Sequence, residues 1–143
     1  MSGDELERFL AAQANSYATA LAELRAGAKQ SHWMWFIFPQ IAGLGHSAMS
    51  RRYEISGLDE ARAYLAHPVL GPRLHACVDA VTGWAGQRSV QTIMGGIDAV
   101  KLRSSLTLFE AVDGGGVFAG ALEQLFGGER DAATLRLLND ADG

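Results

Sequence analysis

Asp98, Lys101 and Ser105 stand at i, i+3 and i+7, so on a helix they share one face, with Ser104 beside it. Ile97, Val100, Leu102, Leu106, Leu108, Phe109 and Val112 surround them, which leaves acid, base and hydroxyl as polar groups in an otherwise hydrophobic segment. A carboxylate in that company could steady oxocarbenium character or activate water at a ribosyl bond. Asp98 is the first candidate for that catalytic role and Glu54 the second. Lys101 would hold phosphate and Ser105 would add a hydroxyl contact. The plainer reading of the same spacing is a solvated Asp–Lys pair, worth a few tenths of a kcal/mol.

A second concentration of unusual residues is Ser31-His32-Trp33-Met34-Trp35-Phe36-Ile37-Phe38-Pro39-Gln40. Trp33 to Phe38 are all large and apolar, with no polar face in either the helical or the strand period. The run should therefore be buried on all sides, and periodicity leaves a short extended segment and a helical turn both open. Pro39 biases Phe38 towards extended backbone and ends any helix there. Most of these rings read as core. Trp33 or Trp35 could instead form a stacking wall for a planar ligand, with Lys29, His32 and Gln40 as the polar groups at its rim. His32 has a structural alternative too, as a satisfied histidine without a ligand.

Gly43-Leu44-Gly45-His46-Ser47-Ala48 formally fits a dinucleotide-binding fingerprint with alanine in third place. The fingerprint needs a preceding strand in a βαβ unit and an acid about 20 residues on, and the chain offers neither. A Rossmann site is excluded. A glycine loop entering a helix capped by Ser47 still presents free N–H groups, so Gly43, Gly45 and Ser47 are candidate anion contacts, with Arg51 and Arg52 nearby. The competing reading is an ordinary capped turn. Nucleophilic chemistry has no support: Cys77 falls on the buried face of its helix, and no serine sits in a recognisable elbow. His32, His46, His67 and His75 lack metal-ligand spacing, so neither a metal nor a cofactor is expected.

These residues need a scaffold, and the chain is of a size to supply one domain over 1–143. Its 48% hydrophobic and 20% charged residues place it among globular chains rather than disordered ones. The net charge of −4, with no cluster of Lys or Arg, argues against a nucleic acid duplex as partner. With one cysteine, no intramolecular disulfide can form, which suits a reducing cytoplasm. The acidic start Met1-Ser2-Gly3-Asp4-Glu5 is unlike a secretory signal, and no apolar run approaches the ~18 residues of a membrane span.

Leu6, Leu10, Gln13, Tyr17, Leu21 and Leu24 step at helical spacing and predict one helix over about 4–26. Ser47 opens a short helix to about Tyr53, and Ser56-Gly57-Leu58-Asp59 resembles a capping box for a helix ending near Ala66. Gly71-Pro72 starts a longer helix with Leu74, Cys77, Val78, Val81 and Trp84 inward. Further helices are predicted over 97–112, 117–126 and 131–138, the last capped by Asp131. The fold class is mainly α, a single compact helical domain around one core, with the possible extended segment around Trp33–Phe38.

Lys29 to Gln40 followed by Gly43-Leu44-Gly45-His46-Ser47 resembles the signature of a bacterial family, domain-of-unknown-function family 1810. Tyr64-Leu65-Ala66-His67-Pro68-Val69-Leu70-Gly71-Pro72-Arg73-Leu74 and Asp98-Ala99-Val100-Lys101-Leu102-Arg103-Ser104-Ser105-Leu106-Thr107-Leu108-Phe109 are similar to its later blocks. The resemblance spans nearly the whole chain and implies a mostly helical fold with no settled activity. Members often carry the label "calpastatin", which this composition contradicts, because that inhibitor is a disordered chain. A remote kinship with the NAD- and ADP-ribose-associated YbiA-like proteins, some of which cleave N-glycosidic bonds, would extend the resemblance to a ligand class. The expectation from residues and resemblance together is a cytoplasmic binder of a nucleotide or ADP-ribose-like small molecule, with hydrolysis of its N-glycosidic bond as the candidate reaction. The alternative is a non-catalytic protein-interaction domain whose aromatic block is entirely core.

Overall fold

Asn15 and Ser16 interrupt what the sequence reads as one helix. The computed structural model describes residues 2–113 and 116–142, and it places α1 at Ser2–Ala14 and α2 at Tyr17–Arg25. Asn and Ser compete with the helix for backbone hydrogen bonds, and two in succession break it. Gln13 lies beside the break, buried, and Nε2 donates to the Phe36 carbonyl at 2.7 Å and to the Tyr64 hydroxyl at 3.1 Å. A stripe residue in the sequence is thus a polar tie in the core.

The aromatic run takes the helical alternative. One turn, α3 at Met34–Ile37, follows Trp33, and Phe38 leaves it at φ −124°, ψ 75° ahead of Pro39. No extended segment forms at Trp33–Phe38. The nearest approach to a sheet is one parallel bridge, Ile41 to Ile55. It hangs on Ile55 N–H donating to the Gln40 carbonyl and Ala42 N–H to the Ile55 carbonyl, both at 2.8 Å. This bridge pins the glycine loop against the segment carrying Glu54.

Ser47 caps α4 (Ala48–Arg52) by accepting from Ser50 N–H. At α5 (Leu58–Ala66) the expected box changes partners. Gly57 occupies the cap, Asp59 is exposed, and Glu60 accepts from Ser56 N–H at 2.8 Å while pairing with Arg8 at 3.3 Å. His67 Nδ1 then accepts from Val69 and Leu70 N–H, so the residue that ends α5 also starts α6 (Leu70–Thr82). Gly71 is obligatory there: a Cβ would lie 2.2 Å from the Leu65 carbonyl oxygen.

Ser89 caps α7 (Val90–Met94), which the sequence reading missed, and Gly95 at φ 86° turns the chain into α8 (Gly96–Glu110). After α9 (Val117–Phe126), Gly127 closes the helix in the left-handed region, and Asp131 caps α10 (Ala132–Asp142). Helix α8 is the axis of the assembly, packing on α5, α7, α9 and α10. The ring ladder Phe9–Tyr64–Phe109–Phe118, with centroids 5.1, 5.4 and 5.7 Å apart, runs through the core from α1 to α9. The described residues thus form a single all-α core with ten helices, and none is long and apolar enough to cross a membrane.

Candidate functional site

A buried lattice of charge and rings joins the 29–35 segment to the start of α8. Glu23 of α2 organises it by accepting from Gln30 N–H, Ser31 N–H, the Ser31 hydroxyl and the Trp33 indole N–H, at 2.6 to 3.0 Å. Burial alone would raise the pKa of Glu23. The bonds from Ser31, Gln30 and Trp33 outweigh it and hold the carboxyl down at about 2. Lys29 is fixed by its N–H to the Ile93 carbonyl at 2.7 Å, and its ammonium sits over Trp33 and 3.0 Å from Asp98 Oδ2. Asp98 Oδ1 faces Lys101 Nζ at 3.9 Å, and that ammonium lies 5.5 Å from the ring centre of Trp35. Two tryptophans and two lysines therefore alternate around one carboxylate.

Lys101 is where this lattice reaches open space. A groove of about 460 Å³ runs between α8 and the glycine loop, lined by Ile97, Val100, Lys101 and Ser104 on one side and by Gln40, Leu44, Gly45 and Ser50 on the other. Asp131 and Ala133, at the start of α10, complete the lining. Gln40, Gly45 and Ser50 also line a cleft of about 10 Å³ with Trp35, Tyr53 and Glu54, which has room for one water. Cavities of about 300 Å³ at 85–90 and about 290 Å³ around Trp84 gather none of the expected site residues.

The structure brings Lys101, Gln40 and Gly45 to the groove and Trp35 and Glu54 to the adjoining cleft. Lys29 and Asp98 stand behind them, joined to Lys101 through the ion pairs. Five expectations are corrected. Trp33 is 1% exposed, and its N–H is engaged by Glu23, so it offers no stacking face. Ser105 is turned into the core with its hydroxyl unpartnered, because α8 is buried on more than one face, and Ser104 lines the groove instead. His32 is exposed and lines neither space. Gly43 packs towards Leu137, and Ser47 spends its hydroxyl on the α4 cap.

Sequence reasoning missed Ser50, Ser104 and the lining role of Asp131. Ser50 carried one usable signal, its i+3 spacing from the Ser47 cap. Asp131 carried none beyond that of an ordinary cap. Its Oδ2 accepts from Thr134 N–H at 3.0 Å and from the Thr134 hydroxyl at 2.5 Å. Cys77 is inert as the sequence implies, since burial pushes its thiol up to about 12. Among the described residues, no group of three or more His, Cys, Asp or Glu could hold a metal ion.

No curated protein matches the chain. A solved structure does: the conserved hypothetical protein Rv1873 from Mycobacterium tuberculosis is 48% identical, with a TM-score of 0.90 over 94% of this chain and 96% of that one. The helices and the bridge that build the groove thus have a counterpart in a crystal structure. The family model of DUF1810, described as a protein of unknown function, matches residues 3–138, and the chain belongs to that family.

Proposed function

We propose that the groove binds a small phosphate-bearing ligand with a planar base, of the nucleotide or ADP-ribose type. The observation that carries this is the state of Lys101. Its ammonium is held over Trp35 by Asp98, yet at 3.9 Å the pair is too long for a strong hydrogen bond, so its donors remain for a ligand at the groove wall. Leu44, Ile97 and Val100 supply apolar surface for the flat face of a base, and about 460 Å³ falls within the range of small-molecule sites. Trp35 does not stack the base in this reading, because the ring holds Lys101.

Hydrolysis of an N-glycosidic bond would use Glu54 rather than Asp98. Glu54 borders the water-sized cleft that opens beside the groove, whereas Asp98 is committed to two lysines. Glu54 would take a proton as the water oxygen bonds to the anomeric carbon, and the bond to the base nitrogen breaks with its electron pair leaving on the protonated base. Asp98 is then a positioning residue for Lys101. The kinship with YbiA-like proteins points at the same ligand class and is subject to the same experiment. A second reading, a non-catalytic interaction surface, is favoured by Ile97 and Val100, 77% and 52% exposed at the groove edge.

A thermal-shift panel of NAD, ADP-ribose, AMP and ribose 5-phosphate tests the binding. A ligand at 100 times its dissociation constant stabilises the fold by about 2.7 kcal/mol. Lys101→Met should abolish that shift, and Glu54→Gln should leave it while stopping release of free base or nicotinamide, followed by chromatography. A flat panel, or a shift indifferent to Lys101→Met, refutes the reading and favours the interaction surface.

A further inference from the structure

The groove contains a second ionisable side chain that the nucleotide reading does not use. Asp131 is 8% exposed and lines the groove among mainly apolar neighbours. Its hydrogen bonds as an α10 cap both end on Oδ2, and among the described residues Oδ1 accepts none. Its own N–H is taken by the Thr107 hydroxyl at 3.0 Å, which fixes the backbone of the carboxylate to α8. A buried carboxylate oxygen without a donor is costly, and a ligand N–H removes the cost. A phosphate or a carbonyl oxygen at the same place adds repulsion instead.

We propose that Asp131 reads an exocyclic amino group, so that the groove accepts an amino-bearing base such as adenine and rejects its carbonyl-bearing counterpart. This rests on the reading that the groove binds a nucleotide through Lys101. Lys101 and Asp131 divide the ligand between them, the ammonium taking phosphate and the carboxylate taking the amino edge of the base. A polar group that must be satisfied on binding discriminates far better than an apolar wall does. The walls alone would not distinguish adenine from hypoxanthine.

AMP and IMP differ at the position concerned, an amino group against a carbonyl, and are the probes. Calorimetric titration of the wild-type chain at pH 7 should show AMP binding roughly ten- to a hundredfold more tightly than IMP. Asp131→Asn keeps a good cap acceptor for Thr134 and turns an amide N–H₂ to the groove, so the preference should fall to near unity or reverse. The wild-type comparison needs no variant and stands even if Asp131→Asn folds poorly. Equal binding of AMP and IMP, both lost in Lys101→Met, overturns the role of Asp131 and leaves the groove reading intact. No binding of either nucleotide overturns both.

Discussion

Trp33 and Trp35 are two residues apart and have opposite fates. In a helical turn two residues differ by about 200° around the axis, so α3 buries one indole against Glu23 and leaves the other half-buried under Lys101. An unbroken apolar run gives no phase, and nothing in it marks which ring faces the site. Glu23 was equally silent, being one more acid on a helix, although it holds the 30–33 segment together. Glu23→Gln should destabilise the chain by about 1–3 kcal/mol, measured as a shift of the urea midpoint. The pH dependence has a definite sign. A carboxyl held at about 2 when folded and near its ordinary 4.5 when unfolded contributes stability fully above the latter, and loses it as pH falls towards 2. Wild-type stability should drop across that window, and Glu23→Gln should flatten the drop.

Helix identity was largely legible because caps and breakers are local chemistry. Ser47, Asp131, Pro68 and Gly127 each mark the boundary the sequence assigns to them. Where the reading failed, tertiary partners decided. Asn15-Ser16 breaks the first helix where Gln13 ties α1 to the Phe36 carbonyl, and Glu60 replaces Asp59 in the box because Arg8 is there to pair with it. Helix α7 escaped because its five residues are too few to show a period. Two predictions belong at this level. Asp131→Ala should cost about 0.5–2 kcal/mol through loss of the cap, and Asp131→Asn close to nothing, by thermal denaturation. Gly71→Ala should cost more than either, at least about 1–3 kcal/mol, because the new methyl meets the rigid Leu65 carbonyl rather than a movable side chain.

The candidate site draws on four separated stretches: the 40–50 loop, Glu54, the first two turns of α8 and the start of α10. Helical periodicity found the Asp98–Lys101 face, and the aromatic block found Trp35 and Gln40. Their meeting depends on the Ile41–Ile55 bridge and on how α10 seats against α8, which no local pattern encodes. The same packing turned Ser105 inward and Asp131 towards the groove. The three indole signals of a nitrogen–proton correlation spectrum test this assembly in one titration with ADP-ribose. Trp33 and Trp84 donate to Glu23 and to the Leu24 carbonyl, away from the groove, whereas Trp35 supports Lys101. The Trp35 signal should move in step with the backbone amides of Gln40, Ser50 and Lys101 while the other two indoles stay in place. A Trp35 signal unmoved at millimolar ligand, or shifts gathered around Trp84, would contradict the account.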